Sequence, residues 1–357
     1  MKKRLALLAA TAMTVSMLAG CGSTEEAAAE STTETTAAEE TAETEDTDAA
    51  EEGAEATDDA AASDKVYRIG ICQLLEHDAL DAATEGFQAA LVELLGEENV
   101  TFDVQNAQGE QTNCATITTQ FVTDDVDLIL ANATAPLQAA AAATNEIPIL
   151  GTSITDYATA LDIADWTGAS GTNVSGTSDL APIEEQENML VELFPDAKKV
   201  GILYCSAEPN SVYQAQLFAQ YLEEDGIEYE EFTAADSNEI QAVATSACES
   251  VDVIYIPTDN TMAANTEVVN NVCQPAGIPV IAGEEGICSG CGVATLSISY
   301  YDIGYTAGEM AYEILVNGAD ITTMEVKYAP QVTKKYNATI CEALGVEVPE
   351  GYEAIAQ

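Results

Sequence analysis

Short runs of β-branched and apolar residues alternate with helical patterns along most of the chain, and the alternation occurs twice. The first run spans 65–74, and apolar residues then recur at three- and four-residue steps from Leu80 to Leu94. The same order begins again at Val200, after a Gly- and Ser-rich passage at 168–179. Such alternation is typical of parallel sheets covered by helices on both faces. The sequence therefore predicts an α/β fold of two doubly wound parallel-sheet lobes with a ligand cleft between them.

The residues that directly follow the predicted strands define the candidate binding region, because ligands of doubly wound sheets bind beyond the carboxyl ends of the strands. These residues are neutral or acidic, and no Lys or Arg occurs between Arg68 and Lys198. Taken singly, each Ser, Thr, Asp or Asn is also explained as a helix N-cap. The strand-end residues are Glu76, His77, Asp78, Asn106, Gln108, Asn132, Thr134, Ser153, Thr155, Asp156, Ser206, Glu208, Asn210, Ser211, Thr258, Asp259, Asn260, Glu284 and Glu285.

These residue types favour a ligand that carries both an ammonium and a carboxylate group. A carboxylate such as Asp259 or Asp156 suits the ammonium group. In the absence of basic side chains, a ligand carboxylate would be held by helix N-termini and by hydroxyl or amide donors. The donors in suitable positions are Thr134, Thr177, Asn210 and Ser211. The sequence therefore predicts a site for a zwitterion such as a free amino acid.

The charge of the chain excludes polyanionic partners. The chain has 10 Lys+Arg and 62 Asp+Glu residues, with a formal net charge of −52. Such a surface repels phosphates and anionic lipid headgroups, and no basic cluster is present that could release counterions from a nucleic acid. We therefore expect no nucleic-acid partner.

The N-terminal region predicts export and attachment to a membrane. An apolar run from Leu5 to Leu18 follows three basic residues, and it fits a signal peptide at 1–20 better than a membrane span. Cys21 ends the sequence Leu-Ala-Gly-Cys, which resembles the lipobox of bacterial lipoproteins. Residues 21–63 contain this cysteine and then only small, polar and acidic residues, which predicts a disordered acidic tether. We expect a lipoprotein anchored to the outer face of the bacterial cell membrane.

The remaining eight cysteines permit disulfides in an exported chain, because their number is even. Cys288 and Cys291 have the spacing of metal ligands, but no second C-x-x-C motif and no nearby His completes a site. We interpret them as core thiols or a local disulfide, with a metal site and a redox pair as alternatives. The chain has no P-loop and no G-x-G-x-x-G motif after its first strand, so we expect no cofactor.

Signals for catalysis are weak. The chain has no G-x-S-x-G motif, and its lone histidine, His77, has no nucleophile of matching context with which to act as a general base. Glu284 and Glu285 are adjacent in the chain, which does not set the separation that glycoside hydrolysis requires. We interpret these two as strand-end caps. The prediction is a binding protein, and an exported hydrolase that uses His77 is an alternative.

Six short motifs, in order along the chain, resemble the substrate-binding lipoproteins of ABC importers. The resemblance runs from about Val66 to Thr323, and within these proteins it is to the family associated with tryptophan or tyrosine uptake. The motifs are Glu76-His77 with Ala79-Leu80-Asp81, Ala133-Thr134-Ala135-Pro136, Gly171 to Asp179, Glu208-Pro209-Asn210-Ser211, Pro257-Thr258-Asp259-Asn260 and Tyr300-Tyr301-Asp302-Ile303-Gly304.

The resemblance implies a monomeric receptor of the periplasmic-binding-protein type I fold, which closes on a small solute and presents it to an ABC permease. Three crossings would divide the chain into a first lobe of 64–172 plus 294–322 and a second lobe of 173–293 plus 323–357. Asp259 would bind the ligand ammonium, Ser211 and Thr177 its carboxylate, and Tyr300 or Tyr157 would stack on a ring. The full set of expected ligand contacts is Glu76, Thr134, Asp156, Thr177, Ser178, Asn210, Ser211, Asp259 and Tyr300.

The expected ligand is an aromatic or other hydrophobic amino acid. A nucleoside or sugar receptor of the same class is the first alternative. A surface adhesin without a small ligand is a further one.

Overall fold

A computed structural model describes residues 65–356, which form two mainly parallel β-sheets covered by helices. The predicted signal peptide at 1–20, Cys21 and the tether at 21–63 lie outside the described residues. Among the residues that the structure describes, no helix has the length and apolar character that crossing a membrane requires.

The first sheet has six strands, all parallel, in the order β11-β5-β4-β3-β1-β2. Strand β1 lies between β2 and β3, so the order of the strands reverses at the β1–β3 boundary. A ligand is expected outside the carboxyl ends of strands at such a reversal. The strands are β1 (Tyr67–Gln73), β2 (Val100–Asn106), β3 (Leu128–Asn132), β4 (Ile149–Ile154), β5 (Val174–Ser178) and β11 (Lys327–Tyr328).

The second sheet has seven strands in the order β13-β12-β10-β9-β8-β6-β7, and its reversal lies between β6 and β8. All neighbours are parallel except β10 and β12, which are antiparallel. Strands β6 and β8 therefore occupy the positions in the second sheet that β1 and β3 occupy in the first. The strands are β6 (Lys199–Cys205), β7 (Glu228–Ala234), β8 (Val253–Ile256), β9 (Val280–Ala282), β10 (Ala294–Ser297), β12 (Thr333–Tyr336) and β13 (Glu353–Ala354).

The helices and two 3₁₀ turns, Glu97–Asn99 and Ile321–Thr323, connect these strands. The helices are α1 (Asp78–Leu95), α2 (Gln111–Thr123), α3 (Thr134–Ala143), α4 (Tyr157–Leu161), α5 (Ile183–Leu193), α6 (Pro209–Asp225), α7 (Ile240–Cys248), α8 (Asn260–Ala263), α9 (Thr266–Ala276), α10 (Glu285–Cys291), α11 (Tyr300–Leu315) and α12 (Ala338–Leu344).

The structure confirms the α/β class, and the apolar cores of the two sheets are separate. One pair of buried clusters covers the two faces of the first sheet, and a second pair covers those of the second sheet. A small fifth cluster joins α1, the residue after β10 and α11. The division of the chain into two lobes stays a prediction.

Helix α11 follows a strand of the second sheet but packs on the first sheet, where it lies directly against α1. A Cβ atom at Gly86 would lie 2.1 Å from the carbonyl oxygen of Tyr301, and one at Gly304 would lie 2.0 Å from that of Ala83. The backbones of the two helices therefore touch, which only glycine permits. This contact brings the start of α11, at Tyr300, to the boundary between the two sheets.

The strands at the three expected crossings belong to different sheets than the sequence predicts. Strand β5 was expected in the second lobe and pairs with β4 of the first sheet. Strand β10 was expected in the first lobe and pairs with β9 and β12 of the second. Strand β11 was expected in the second lobe and pairs with β5. These assignments were wrong because backbone pairing decides sheet membership, and changes of composition along the chain do not report it.

Strand β5 was also hidden by its composition, Val-Ser-Gly-Thr-Ser, within a passage that reads as a loop. The strand is nevertheless fully buried. Gly176 has a φ of +143°, and a Cβ atom there would lie 2.0 Å from the carbonyl oxygen of Gly151. The two strands approach too closely for a side chain at this point, so the small residues are a requirement of the sheet.

Candidate ligand-binding site

The carboxyl ends of strands from both sheets surround a small enclosed cavity. About 10 Å³ of it is open to a water-sized molecule, which is room for roughly one water. No Lys or Arg is among the described residues that line it. The lining residues are His77, Leu80, Ser153, Thr155, Asp179, Asn210, Thr258, Asp259, Asn260, Ala263, Glu284 and Tyr300.

Asp179 directly follows β5, and its carboxylate is bonded to side-chain hydroxyl groups. Thr155 Oγ1 donates to Oδ1 at 3.1 Å, and the Tyr300 hydroxyl donates to Oδ2 at 3.0 Å. The residue is 4% exposed. Burial raises the pKa of Asp179 to about 6. The hydrogen bonds from the two hydroxyl groups favour the ionised form and lower this pKa, but their effect is smaller than that of burial. The site thus holds a buried carboxylate with no cation beside it.

Ser153, near the end of β4, has a hydroxyl group at the cavity wall that makes no hydrogen bond to the described residues. Its φ is +57°, a left-handed conformation that non-glycine residues seldom adopt. The residue is 6% exposed, and within the described part of the chain its Oγ has no hydrogen-bond partner. A buried polar atom of this kind is costly unless something pairs with it. Ser153 therefore combines a strained backbone with a free hydroxyl group at the cavity wall.

Asp259 directly follows β8, and backbone N–H groups occupy both of its oxygens. Met262 N donates to Oδ1 at 2.8 Å, which caps α8, and Cys205 N donates to Oδ2 at 2.7 Å. Burial, and then the neighbouring carboxylate of Glu208, raise the pKa of Asp259 to about 8. Its place in the cavity wall agrees with the sequence, but its oxygens already have partners.

Two other acids of the second sheet also act as caps. Glu208 accepts hydrogen bonds from the backbone N–H groups of Asn260, at 3.0 Å, and Thr261, at 2.8 Å. Glu284 accepts from Gly286 N at 2.6 Å and from Ile287 N, at the start of α10. Burial raises the pKa of Glu284 to about 7. Its interpretation as a cap agrees with these contacts.

His77, at the start of α1, contacts the second sheet across the cavity. Its Nε2 lies 3.2 Å from Asn260 Oδ1. Burial lowers the pKa of His77, although three nearby acids and the contact with Asn260 act in the opposite direction. The imidazole is therefore mostly neutral at pH 7 and does not balance the charge of the acids.

Gln214 is a second link across the cleft, and sequence reasoning missed it. The side chain is 1% exposed, and its Nε2 lies 3.5 Å from Thr155 Oγ1. Its amide also exchanges hydrogen bonds with both backbone groups of Thr258. Its position one turn beyond Asn210 in α6 is the only signal of this role in the sequence.

Three of the nine expected ligand contacts line the cavity, namely Asn210, Asp259 and Tyr300. Asn210 also lines a larger groove of about 690 Å³ that contains the ends of β1, β2, β6 and β7. The ring of Tyr300 lies in the wall, with its hydroxyl group on Asp179.

Four further expected contacts are buried behind the lining residues. Thr177 Oγ1 donates to Thr152 Oγ1, and Ser178 Oγ donates to the carbonyl oxygen of Thr155. Ser211 Oγ accepts from Asn210 Nδ2 at 3.3 Å. Thr134, at the start of α3, is 4% exposed. The hydroxyl groups of Thr177, Ser178 and Ser211 are therefore bonded to neighbouring protein atoms.

The structure places the other expected contacts away from the cavity. Asp156 accepts a hydrogen bond from Thr159 N at 2.7 Å and caps α4. Glu76 lines a separate surface groove beside His77. Tyr157 donates its hydroxyl proton to the carbonyl oxygen of Thr177 and stacks on Trp166 in the core of the first sheet. Tyr300 is therefore the better placed of the two tyrosines that were expected to stack on a ligand ring.

The eight cysteines within the described residues are all free thiols, and only Cys248 is not fully buried. Cys288 and Cys291 lie in α10 and in the core of the second sheet. The interpretation of this pair as core thiols agrees with their burial. No group of three or more metal-ligating side chains occurs within the part of the chain described here.

This chain belongs to the family of ABC transporter substrate-binding proteins. The family's model matches residues 68–357. The tyrosine-binding protein of Clostridioides difficile is 35% identical over 330 residues, which cover 91% of this chain and 88% of that protein. Members of this family capture a solute for an importer, so a small-molecule solute and an ABC permease are the partners that membership implies.

Solved structures agree with this membership and with the type I fold. A Streptococcus pneumoniae ABC domain in complex with L-Trp is 31% identical, has a TM-score of 0.77, and covers 82% of this chain and 100% of that one. A ligand-free, open substrate-binding protein with adhesive properties from Clostridium difficile is 37% identical, has a TM-score of 0.63, and covers the same shares. A leucine-binding protein from Thermotoga maritima, at 16% identity and a TM-score of 0.55, shares the fold and covers 72% of this chain and 84% of that one.

Proposed function

We propose that this chain is the receptor of an ABC importer for an aromatic amino acid, with tyrosine and tryptophan as the leading candidates. The observation that carries the proposal is the carboxylate of Asp179, which is buried, has no cation beside it and accepts hydrogen bonds from two side-chain hydroxyl groups that can reorient. An ammonium group would supply the missing charge. A buried ion pair with hydrogen bonds to the charged groups is strongly favoured over a lone buried carboxylate.

The remaining groups of the cavity suit the rest of an amino acid. With no basic side chain in the wall, the ligand carboxylate would receive hydrogen bonds from neutral donors, and the free hydroxyl group of Ser153 is the first candidate. The ring of Tyr300 offers a stacking surface for an aromatic side chain. The tyrosine-binding relative and the L-Trp complex support an aromatic solute.

We assign the ammonium group to Asp179 and keep Asp259 as the second candidate. Both carboxylates line the cavity. The backbone N–H groups that donate to Asp259 are fixed by the fold, whereas the hydroxyl groups that donate to Asp179 can rotate when a ligand binds.

Capture requires the cleft to open, because the cavity has room for about one water and not for an amino acid. The higher TM-score with the L-Trp complex than with the open, ligand-free protein supports a closed arrangement here, since the open protein is the more similar in sequence. We expect a hinge motion between open and closed forms on binding.

The proposal includes attachment to the membrane through a lipid on Cys21, with residues 21–63 as a tether, and a monomeric state. It also assigns no catalytic residue. His77 contacts the amide of Asn260 rather than a nucleophile, which supports a part in lobe contact and ligand binding.

A thermal-shift panel of L-amino acids, nucleosides and sugars tests the ligand class. A ligand at 100 times its dissociation constant stabilises its protein by about 2.7 kcal/mol. We expect a shift of this size with L-tyrosine or L-tryptophan. A shift with a nucleoside or sugar and none with any amino acid would make the ligand claim wrong.

Analogues of tyrosine separate the two ends of the proposed site. Desaminotyrosine lacks the ammonium group and should bind at least about 100-fold more weakly than tyrosine, since it leaves the Asp179 carboxylate unpaired. Tyramine lacks the carboxylate, keeps the ammonium group and should lose less affinity. Equal binding of tyrosine and desaminotyrosine would contradict the ammonium assignment.

A further inference from the structure

Two thiols of the second sheet's helical layer lie next to each other. Cys248 is the last residue of α7, and Cys273 lies in α9. Their sulfur atoms are 3.6 Å apart, at hydrogen-bond distance for thiols. Both helices pack on the same apolar cluster of the second sheet, so the two residues are held together by the core of the fold.

The separation of the sulfur atoms suits conversion to a covalent bond. A disulfide has an S–S length of about 2.04 Å, so the sulfur atoms must approach by about 1.6 Å. Rotation of the two side chains about their Cα–Cβ bonds moves the sulfur atoms over such distances.

Solvent access distinguishes this pair from the other neighbouring thiols. Cys248 is the one cysteine of residues 65–356 that is not fully buried, whereas Cys273 is 1% exposed. Cys72 and Cys114 also form a thiol–thiol hydrogen bond, but both are 0% exposed. An external oxidant can therefore reach the first pair and not the second in the folded protein.

We propose that Cys248 and Cys273 form an intramolecular disulfide when the folded protein meets a low-molecular-weight disulfide such as oxidised glutathione. The Cys248 thiolate attacks one glutathione sulfur, forms a mixed disulfide and releases one glutathione thiolate. The Cys273 thiolate then attacks Cys248 Sγ and releases the second glutathione. Two cysteine protons leave, the protein loses two electrons, and one glutathione disulfide is reduced to two thiols.

The protonation of the pair sets the conditions for this reaction. Burial raises the pKa of Cys248 and that of Cys273, and the Cys248 thiol raises the latter further. Because the thiolate is the reacting form, oxidation should accelerate as the pH rises from 7 to 8.5.

The disulfide would close a loop that carries part of the candidate site. Residues 249–272 contain β8, Asp259, Asn260 and the short helix α8, all of which lie at or next to the cavity. Cross-linking of the loop ends restricts the unfolded chain and should hold this segment against the sheet.

Peptide mapping of the folded full chain after treatment with oxidised glutathione at pH 8.5 tests the proposal. Trypsin does not separate the cysteines, because no Lys or Arg occurs between Lys199 and Lys327. Cleavage after glutamate places Cys248 in the fragment 240–249, Cys273 in 268–284, and Cys288 with Cys291 in 286–309. We expect the first two fragments to be linked, with a mass two hydrogen atoms below their sum, and the Cys72 and Cys114 thiols to remain free.

Thermal melting of the oxidised and reduced protein provides a second measurement. The oxidised protein should melt roughly 5–10 °C higher. Cys248→Ser should remove both the linked fragment and this difference, while Cys341→Ser, at a buried thiol outside the pair, should keep both. The absence of the linked fragment from oxidised wild type, together with full labelling of both thiols after unfolding, would overturn the proposal, as would a predominant link to another cysteine.

Discussion

The two sheets contribute acids to the same cavity, but these acids have different partners. On the side of the second sheet, Asp259 and Glu284 accept hydrogen bonds from backbone N–H groups at the starts of α8 and α10, and Glu208 does so beside the cavity. On the side of the first sheet, Asp179 is bonded to the hydroxyl groups of two side chains. Ser153 of the same sheet has a hydroxyl group without a partner in the described chain.

This difference separates acids that build the site from groups that are available to a ligand. Backbone N–H groups at a helix start cannot turn away, so an acid that caps them is committed to the fold. Hydroxyl groups rotate and can donate to one acceptor or accept from another donor. We therefore expect changes on the second-sheet side to affect stability first, and changes on the first-sheet side to affect affinity first.

Asp179→Ala should give the largest effect on binding. Removal of one partner from a buried ion pair costs about 3–5 kcal/mol, so tyrosine affinity should fall more than 100-fold. The hydroxyl groups of Thr155 and Tyr300 can rotate to other acceptors when the carboxylate is removed, so the variant should melt close to wild type. Isothermal titration calorimetry and thermal melting give the two values. Wild-type affinity in this variant would place the ammonium group elsewhere.

Asp259→Ala should give the opposite pattern. The change leaves the backbone N–H groups of Met262 and Cys205 without acceptors, at a cost of about 2–3 kcal/mol in the free energy of unfolding. Urea denaturation of this variant and of Asp179→Ala under the same conditions measures the contrast. If Asp259→Ala melts normally and loses all binding, the ammonium group belongs to Asp259, as the sequence suggests.

Acidic pH should weaken binding through Asp179. Its pKa is raised to about 6 in the free protein, and an ammonium ligand requires the ionised form. Affinity should be level above this value and should fall towards about tenfold per pH unit below it, because protons then compete with the ligand. Titrations at pH 5 and pH 7 should differ by roughly a factor of ten.

A control variant accompanies the pH series. Glu284→Gln, which removes the neighbouring acid with a pKa of about 7, should keep the pH dependence. The stability contribution has its own sign. Because the pKa of Asp179 is raised on folding, the contribution of this residue to the free energy of unfolding is most favourable below pH 3.8 and is lost as the pH rises through 6. A constant affinity from pH 7 to pH 5 would contradict the role of Asp179.

Ser153→Gly should give the smallest effect, and its two parts should have opposite signs. Loss of one neutral hydrogen bond to the ligand should cost about 1 kcal/mol, or roughly fivefold in affinity. Glycine adopts a φ of +57° without the strain of a serine, so the melting temperature should stay level or rise. A lower melting temperature with unchanged affinity would assign Ser153 to the fold alone.

Much of the fold follows from local patterns in the sequence. The apolar spacing from Leu80 to Leu94 predicts α1, and the apolar run around Val253 predicts β8, because periodicity reports which faces are buried. Strand β5 was not predicted, because its small residues are required by the close approach of the neighbouring strand, where Gly176 contacts Gly151. A pattern within the segment does not report that contact. The packing of α11 on the first sheet could not be predicted either, because its glycines contact α1, which is distant in the chain.

The sequence by itself determined the class of the protein, the alternation of strands and helices, and a cleft whose polar wall has no basic side chain. These properties depend on composition and short-range spacing. The tertiary structure decided which hydrogen-bond partners each strand-end acid has. Asp179 and Asp259 are the same residue type just beyond a strand, but the small residues of β5 concealed the strand end before Asp179. Folding brings two backbone N–H groups to the carboxylate of Asp259 and two rotatable hydroxyl groups to that of Asp179, and most of these contacts depend on residues that are distant in the chain.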